Sequence, residues 1–182
     1  MGNVILGLLM LAPATLYSLR KQFESTISLF YSASLGSLGT ALAALHDRGL
    51  VVAIASVDNG RSKKTFTITD SGRAAFRSWM LEPVTQRDFE TTALSRLFFL
   101  GLLSADERAL AMARIRERQQ ADEATLREVA GQLDSMAISG EFGEIFFYQR
   151  QVLEYGLGSH NFAGAFFAQI AERLDDPLKR LR

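Results

Sequence analysis

Residues 34–69 read SLGSLGTALAALHDRGLVVAIASVDNGRSKKTFTIT, and a change of period inside this stretch decides the fold. From Ser34 to about Arg48, Leu38, Leu42 and Leu45 recur at helical spacing and share one side. Gly49 then stands where a helix ends, because glycine accepts the left-handed turn that closes one. From Leu50 to Val57 the chain is β-rich, and from Lys64 to Thr69 it alternates, with Phe66 and Ile68 facing one way. Asn59-Gly60 lies between the two runs and supplies the positive φ angles of a tight hairpin turn. Arg61, Lys63 and Lys64 make the tip of that hairpin cationic. The stretch therefore predicts a helix followed directly by a basic-tipped β-hairpin.

Two more helices precede it. Val4, Ile5, Leu8, Leu9 and Leu11 form an apolar first helix that ends near Pro13. No Lys or Arg precedes this run and it is too short to span a bilayer, so it reads as a buried helix rather than a secretory signal. Thr15 is placed to cap a second helix to about Ile27, with Leu16, Leu19, Phe23 and Ile27 at helical spacing. After the hairpin, Thr69 or Asp70 caps a fourth helix carrying Ala74, Phe76, Trp79 and Met80, which stops before Pro83. Three helices, a hairpin and a helix spell a winged helix-turn-helix, predicted over residues 1–83.

Residues 84–92 read as a linker, and residues 93–182 as a helical domain. Ser104 with Glu107 makes a capping box for a long helix to about Ile138. Along it Ile115, Gln119, Asp122, Leu126, Val129, Leu133 and Met136 follow a 4, 3, 4, 3, 4, 3 spacing, a heptad seam. A last helix spans about Glu141 to Leu174, with a bend expected near Gly156 and Gly158. The fold class is mainly α with a small β-hairpin wing, followed by a C-terminal helical dimerisation domain. Leu126, Val129, Leu133, Met136, Phe166 and Ile170 are the expected dimer contacts.

Bulk composition narrows the function. The 182 residues carry a net charge of zero, but residues 1–83 hold 8 Lys and Arg against 5 Asp and Glu, and residues 84–182 hold 12 against 15. A mildly basic N-terminal half suits a polyanion. There is no cysteine, which removes disulfides and thiolate metal sites and suits a cytoplasmic protein. His46 and His160 stand alone, so no metal or other cofactor is expected. Gly156-Leu157-Gly158 lacks the third glycine of a dinucleotide fingerprint, with Asn161 in its place. Glu141 and Glu144 suit a helix N-terminus better than acid–base catalysis. No enzyme is predicted.

The order of elements points to duplex DNA. A major groove admits one α-helix, whose first residues reach the base edges. The Ser- and Gly-rich start of the third helix can lie close to DNA, and the cationic tip can grip phosphates. Seen alone, a charged turn tip is a solvated turn and a Ser/Gly helix start is a capped helix. The cationic tip in the wing position is what favours DNA. The alternative for the same residues is a protein-interaction or architectural winged-helix module without sequence-specific DNA binding.

Several stretches resemble the PadR family of bacterial transcriptional regulators. Val4-Ile5-Leu6-Gly7-Leu8-Leu9 and Pro13-Ala14-Thr15-Leu16-Tyr17 are similar to its first helix and the start of its second. Phe30 to Leu38, with Ala41-Leu42 through Gly49-Leu50, resembles its recognition segment, and Phe66 to Arg73 its second wing strand and following helix start. Leu97-Phe98-Phe99-Leu100-Gly101 and the two long helices resemble the longer subgroup with a virulence-activator-like C-terminal domain. Where the family has Ile-Tyr-Pro, this chain has Leu38-Gly39-Thr40, and Leu16 replaces a glycine beside Tyr17. The resemblance implies a homodimeric repressor on promoter DNA. Its implied contacts are Thr15, Tyr17, Ser34, Ser37, Thr40, Arg61, Lys63 and Lys64. It also implies a small hydrophobic or aromatic effector; the many aromatics between Phe142 and Phe167 read first as core and dimer packing, with a pocket for that effector as the alternative.

Overall fold

The computed structural model describes residues 1–31, 35–58, 61–135 and 142–174, with backbone alone for residues 35, 57, 58, 61 and 62. These residues form two compact units. One comprises Met1–Glu82 with Glu90–Glu107, and the other residues 83–89 with those from Arg108 onward.

The first unit begins with α1 (Gly2–Leu11), whose residues 4–9 are all buried. A helix apolar on every side is stable only when surrounded, so α1 sits inside the unit. Ala12 is extended ahead of Pro13, as the proline ring requires. A two-residue strand β1 (Ala14–Thr15) follows. Thr15 also caps α2 (Leu16–Thr26): its Oγ1 accepts from the Ser18 N–H at 3.1 Å, and the Thr15 N–H donates to Ser18 Oγ at 2.7 Å. That reciprocal box satisfies two otherwise orphaned donors. Leu19 and Phe23 take the buried face of α2, and Ile27 continues it into a 3-10 turn (Ile27–Leu29).

Helix α3 (Leu35–Asp47) buries Leu38, Leu42 and Leu45. It ends in a Schellman motif. Gly49, at φ 69°, donates to His46 O at 2.9 Å, and the Leu50 N–H donates to Leu45 O at 2.9 Å. Strands β2 (Val51–Asp58) and β3 (Arg61–Ile68) pair from Val51↔Ile68 to Asp58↔Arg61, a register closed by two residues. Those two, Asn59 and Gly60, lie outside the described residues. The sheet has a third strand that periodicity does not reveal: β1 pairs with β3, giving the order β1-β3-β2.

Helix α4 (Asp70–Leu81) is capped by Thr69, whose Oγ1 accepts from the Gly72 N–H and donates to Gly49 O at 2.8 Å. One hydroxyl thus ties the start of α4 to the end of α3. Helix α5 (Phe89–Phe98) starts four residues inside the stretch read as a linker. Its Arg96 is fully buried, donates to Glu82 O at 2.6 Å and lies 5.5 Å from the Trp79 ring. Burial pushes the Arg96 guanidinium down to about 10, opposed in part by Glu82. A 3-10 turn (Leu100–Leu102) leads to Ser104, which with Glu107 forms the expected capping box.

The second unit is built on α6 (Ala105–Asp134) from Arg108 onward and on α7 (Gly143–Ala171). They run antiparallel, as the pairs along them show. Gln119 donates to His160 O at 2.8 Å, Leu126 packs on Gly156, and Arg150 binds Asp134 at 3.0 Å. Helix α7 is one continuous helix through Gly156 and Gly158. Residues 84–89 belong with this pair: Arg118 donates to Val84 O and Gln86 O, and the Phe89 ring stacks on His160 at 6.0 Å.

Candidate nucleic-acid interface

The expected DNA contacts separate into groups once placed. Tyr17, the second residue of α2, is 75% exposed. Ser37 and Thr40 are exposed on the first turns of α3, opposite the buried Leu38, Leu42 and Leu45. The Thr40 hydroxyl donates to Gly36 O at 3.0 Å, so outward it offers a methyl group and an acceptor oxygen. Thr15 is half-buried, and its hydroxyl is committed to the α2 cap and its backbone to β3. Ser34 and the Arg61 side chain lie outside what is described.

The wing lysines do not form one cluster. Successive residues of a strand point to opposite faces. Lys64 shares its face with Phe66 and Ile68, which are buried, and its ammonium rests 5.4 Å from the Phe66 ring. Lys63 is exposed on the other face. Lys63 and Lys64 thus stand on opposite faces of β3.

Leu16 joins this surface without having been singled out as a contact. It is 37% exposed at the first position of α2. Its Cδ2 stands 3.9 Å from where a Cβ on Gly39 would be, so it leans over the first turns of α3. The signal in the sequence was the paired departure at Leu16 and Gly39: a larger side chain at one and none at the other.

The expected dimer contacts also differ among themselves. Leu126 is half-buried and packs on Gly156 of its own chain. Val129 is exposed, Leu133, Phe166 and Ile170 are half-buried, and Met136 lies outside the described residues. The larger apolar exposure is on α7. Ile145, Tyr148, Val152, Tyr155 and Phe162 are all exposed, with Val152 at 72% and Tyr155 at 79%. Their spacing of 3, 4, 3 and 7 places them on one stripe. Within the first unit, a groove of about 890 Å³ is lined by Met10, Phe76, Leu81 and Leu103, with Arg73 and Arg77 one turn apart on α4. Among the described residues no group of acidic or histidine side chains could hold a metal ion, and no helix is long and apolar enough to cross a membrane.

Comparison with known proteins addresses the first unit. A probable transcriptional regulator of Mycobacterium tuberculosis is 31% identical over 70 residues, which are 38% of this chain and 37% of that protein. The chain therefore aligns with little more than a third of that relative's length. Two solved structures align along most of both chains. Bacillus subtilis PadR in complex with operator DNA is 22% identical, with 94% of this chain and 96% of that one covered and a TM-score of 0.43. The Vibrio cholerae virulence activator AphA is 21% identical, with 96% and 97% covered and a TM-score of 0.38. Residues 5–78, from α1 to the third turn of α4, match the Transcriptional regulator PadR-like family. Across those residues the chain is similar to PadR-like transcriptional regulators.

Proposed function

We propose that this chain is a sequence-specific DNA-binding regulator. In this reading it is homodimeric on a near-palindromic operator, represses by occluding a promoter, and is released by a small apolar or aromatic effector. The observation that carries the DNA-binding core is the match of residues 5–78 to a regulator family. It falls on the unit whose surface exposes Tyr17, Ser37, Thr40 and the wing lysines. In this role α3 enters the major groove, Ser37 bonds backbone phosphate oxygens, and Lys63 and Lys64 bind phosphates beside the groove. The direct test is a mobility-shift titration across salt with random and genomic DNA. Replacing Arg61, Lys63 and Lys64 with Ala is expected to flatten the salt slope by roughly one unit per lost phosphate contact. Protein that shifts no fragment even at low ionic strength would leave only the interaction-module reading.

The α7 stripe supports the homodimer. Exposed apolar residues at heptad spacing are the seam of a helix pair awaiting its mate. Because Leu126 already packs within its own chain, α7 contributes more of the seam than α6. A symmetric pair places the two α3 helices on half-sites about 34–36 Å apart or a multiple. Light scattering is expected to give a dimer that Val152→Glu with Tyr155→Glu converts to monomer. For the effector, the groove beside α4 combines an apolar lining with Arg73, while Arg77 is already paired with Glu107 of the same lining, so the groove suits a small aromatic compound. Titration with small aromatic compounds, neutral and anionic, should raise the melting temperature and weaken DNA binding, and the effector reading fails if neither moves.

A further inference from the structure

Resting on the DNA-binding reading above, we infer that Leu16 is a specificity-determining residue that recognises the C5-methyl groups of thymines in the half-site. Leu16 is the first residue of α2, beside the exposed Tyr17, and is itself partly exposed. The buried face of α2 is filled by Leu19 and Phe23, so Leu16 stands at the rim of the α2–α3 packing. Across that rim is Gly39, whose missing side chain leaves the Leu16 isopropyl group lying over the first turns of α3.

The rest of that surface limits what can be read. The exposed positions of the first turns of α3 are Gly36, Ser37, Thr40, Ala43 and Ala44. None carries the bidentate groups that read guanine (Arg, Lys) or adenine (Asn, Gln). The Thr40 hydroxyl proton is committed to Gly36 O. Apart from the Ser37 hydroxyl, which bonds base edges without choosing among them, the chemistry left to this surface on a base edge is apolar contact, and in the major groove the apolar group is the thymine methyl. Thr40, Ala43 and Ala44 offer single methyl groups on that surface, whereas Leu16 overhangs α3 with a larger aliphatic side chain and more surface to bury. In water that exposed surface has no favourable use, and a methyl seated against it removes both from solvent.

The experiment uses the full chain and an operator selected from a random pool. Each thymine is replaced in turn by deoxyuridine, which deletes the methyl and keeps the pairing edge and the charge. Wild-type protein is expected to lose affinity roughly threefold to fivefold at one or two thymines per half-site, the worth of about one buried methyl. Leu16→Ala should be indifferent at those same positions, with thymine and uracil operators binding alike. Leu16→Met, which keeps an apolar side chain of similar volume, should retain the discrimination and serves if Leu16→Ala folds poorly. Uniform tolerance of deoxyuridine by wild-type protein overturns the inference, as does an equal loss in wild type and Leu16→Ala at every position. A chain that shifts no DNA at all fails at the earlier reading, whereas one that binds DNA and ignores the methyl groups fails only here.

Discussion

The backbone of Gly72 in α4 lies directly against the carbonyl of Leu50, so closely that a Cβ at residue 72 would overlap that oxygen and come within 2.7 Å of the Ile68 side chain. The contact sets how α4 leaves the sheet, because Thr69 binds Gly49 O from the same corner. An obstacle made of backbone cannot turn aside as a side chain can. Gly72→Ala is expected to cost about 3 kcal/mol, the upper range for overpacking. For a chain of this size that lowers the melting temperature by roughly 6–12 °C. A thermal melt by circular dichroism checks it, and a wild-type-like melt would contradict the geometry.

Gly131 is the opposite case. It lies within α6, and nothing comes within 4 Å of the position a Cβ would take. Gly131→Ala should stabilise the protein by about 0.5–1 kcal/mol, since glycine in a helix interior costs that much relative to alanine. Urea unfolding would register this as a higher midpoint at unchanged slope.

Gly164 and Gln119 form a coupled pair. A Cβ on Gly164 would stand 2.9 Å from the Gln119 amide nitrogen, which donates to His160 O and to Glu123. Gly164→Ala displaces that amide and should cost about 1–2 kcal/mol, the range for a buried hydrogen bond disrupted on one side. In a Gln119→Ala background the same change should cost much less, since the obstacle is gone. Additive losses in a double-mutant cycle would rule the coupling out.

Glu107 ties stability to acid. The Ser104 N–H and hydroxyl, and then Arg77, hold its carboxyl below the usual carboxylate range. A group whose pKa is lowered by folding stabilises above its unfolded value, and that contribution disappears as pH falls through the folded one. Glu107→Gln keeps the capping-box geometry but not the charge. Its melting temperature should lie below wild type at pH 7, with the gap closing in strong acid. A gap that stays constant at every pH would exclude a charge effect.

Arg96 is buried with Glu82 O and the Trp79 ring beside its guanidinium, and its Nε and Nη2 make no hydrogen bond among the described residues. A buried cation is costly, and the Glu82 charge offsets only part of the burial here. Arg96→Met, of similar volume, should be neutral or stabilising. Arg96→Ala opens a cavity and should cost about 2–4 kcal/mol. In both variants the emission of Trp79, the single tryptophan, should shift as the cation leaves its ring. A large loss in Arg96→Met would mean that the Glu82 bond outweighs the burial of charge.

Elements whose signals are local were legible in the amino-acid chain alone. Gly49 stops α3, Thr15 and Thr69 cap α2 and α4, Ser104 and Glu107 box the start of α6, and two residues close the β2–β3 register. Each depends on residues a few positions apart, so a single stretch of chain contains the whole cause. The remaining features depended on packing between segments distant in the chain. Strand β1 has two residues and no period, and it exists because β3 lies alongside. Arg96 reads as a surface cation until α5 packs it against Trp79. The aromatic α7 is ambiguous in one dimension, and packing alone sends Leu153 and Phe167 inward and leaves Val152 and Tyr155 out. Leu16 and Gly39 are 23 positions apart, and nothing local says that one overhangs the other. Burial is a sum over neighbours delivered from distant parts of the chain, and no short window of sequence contains that sum.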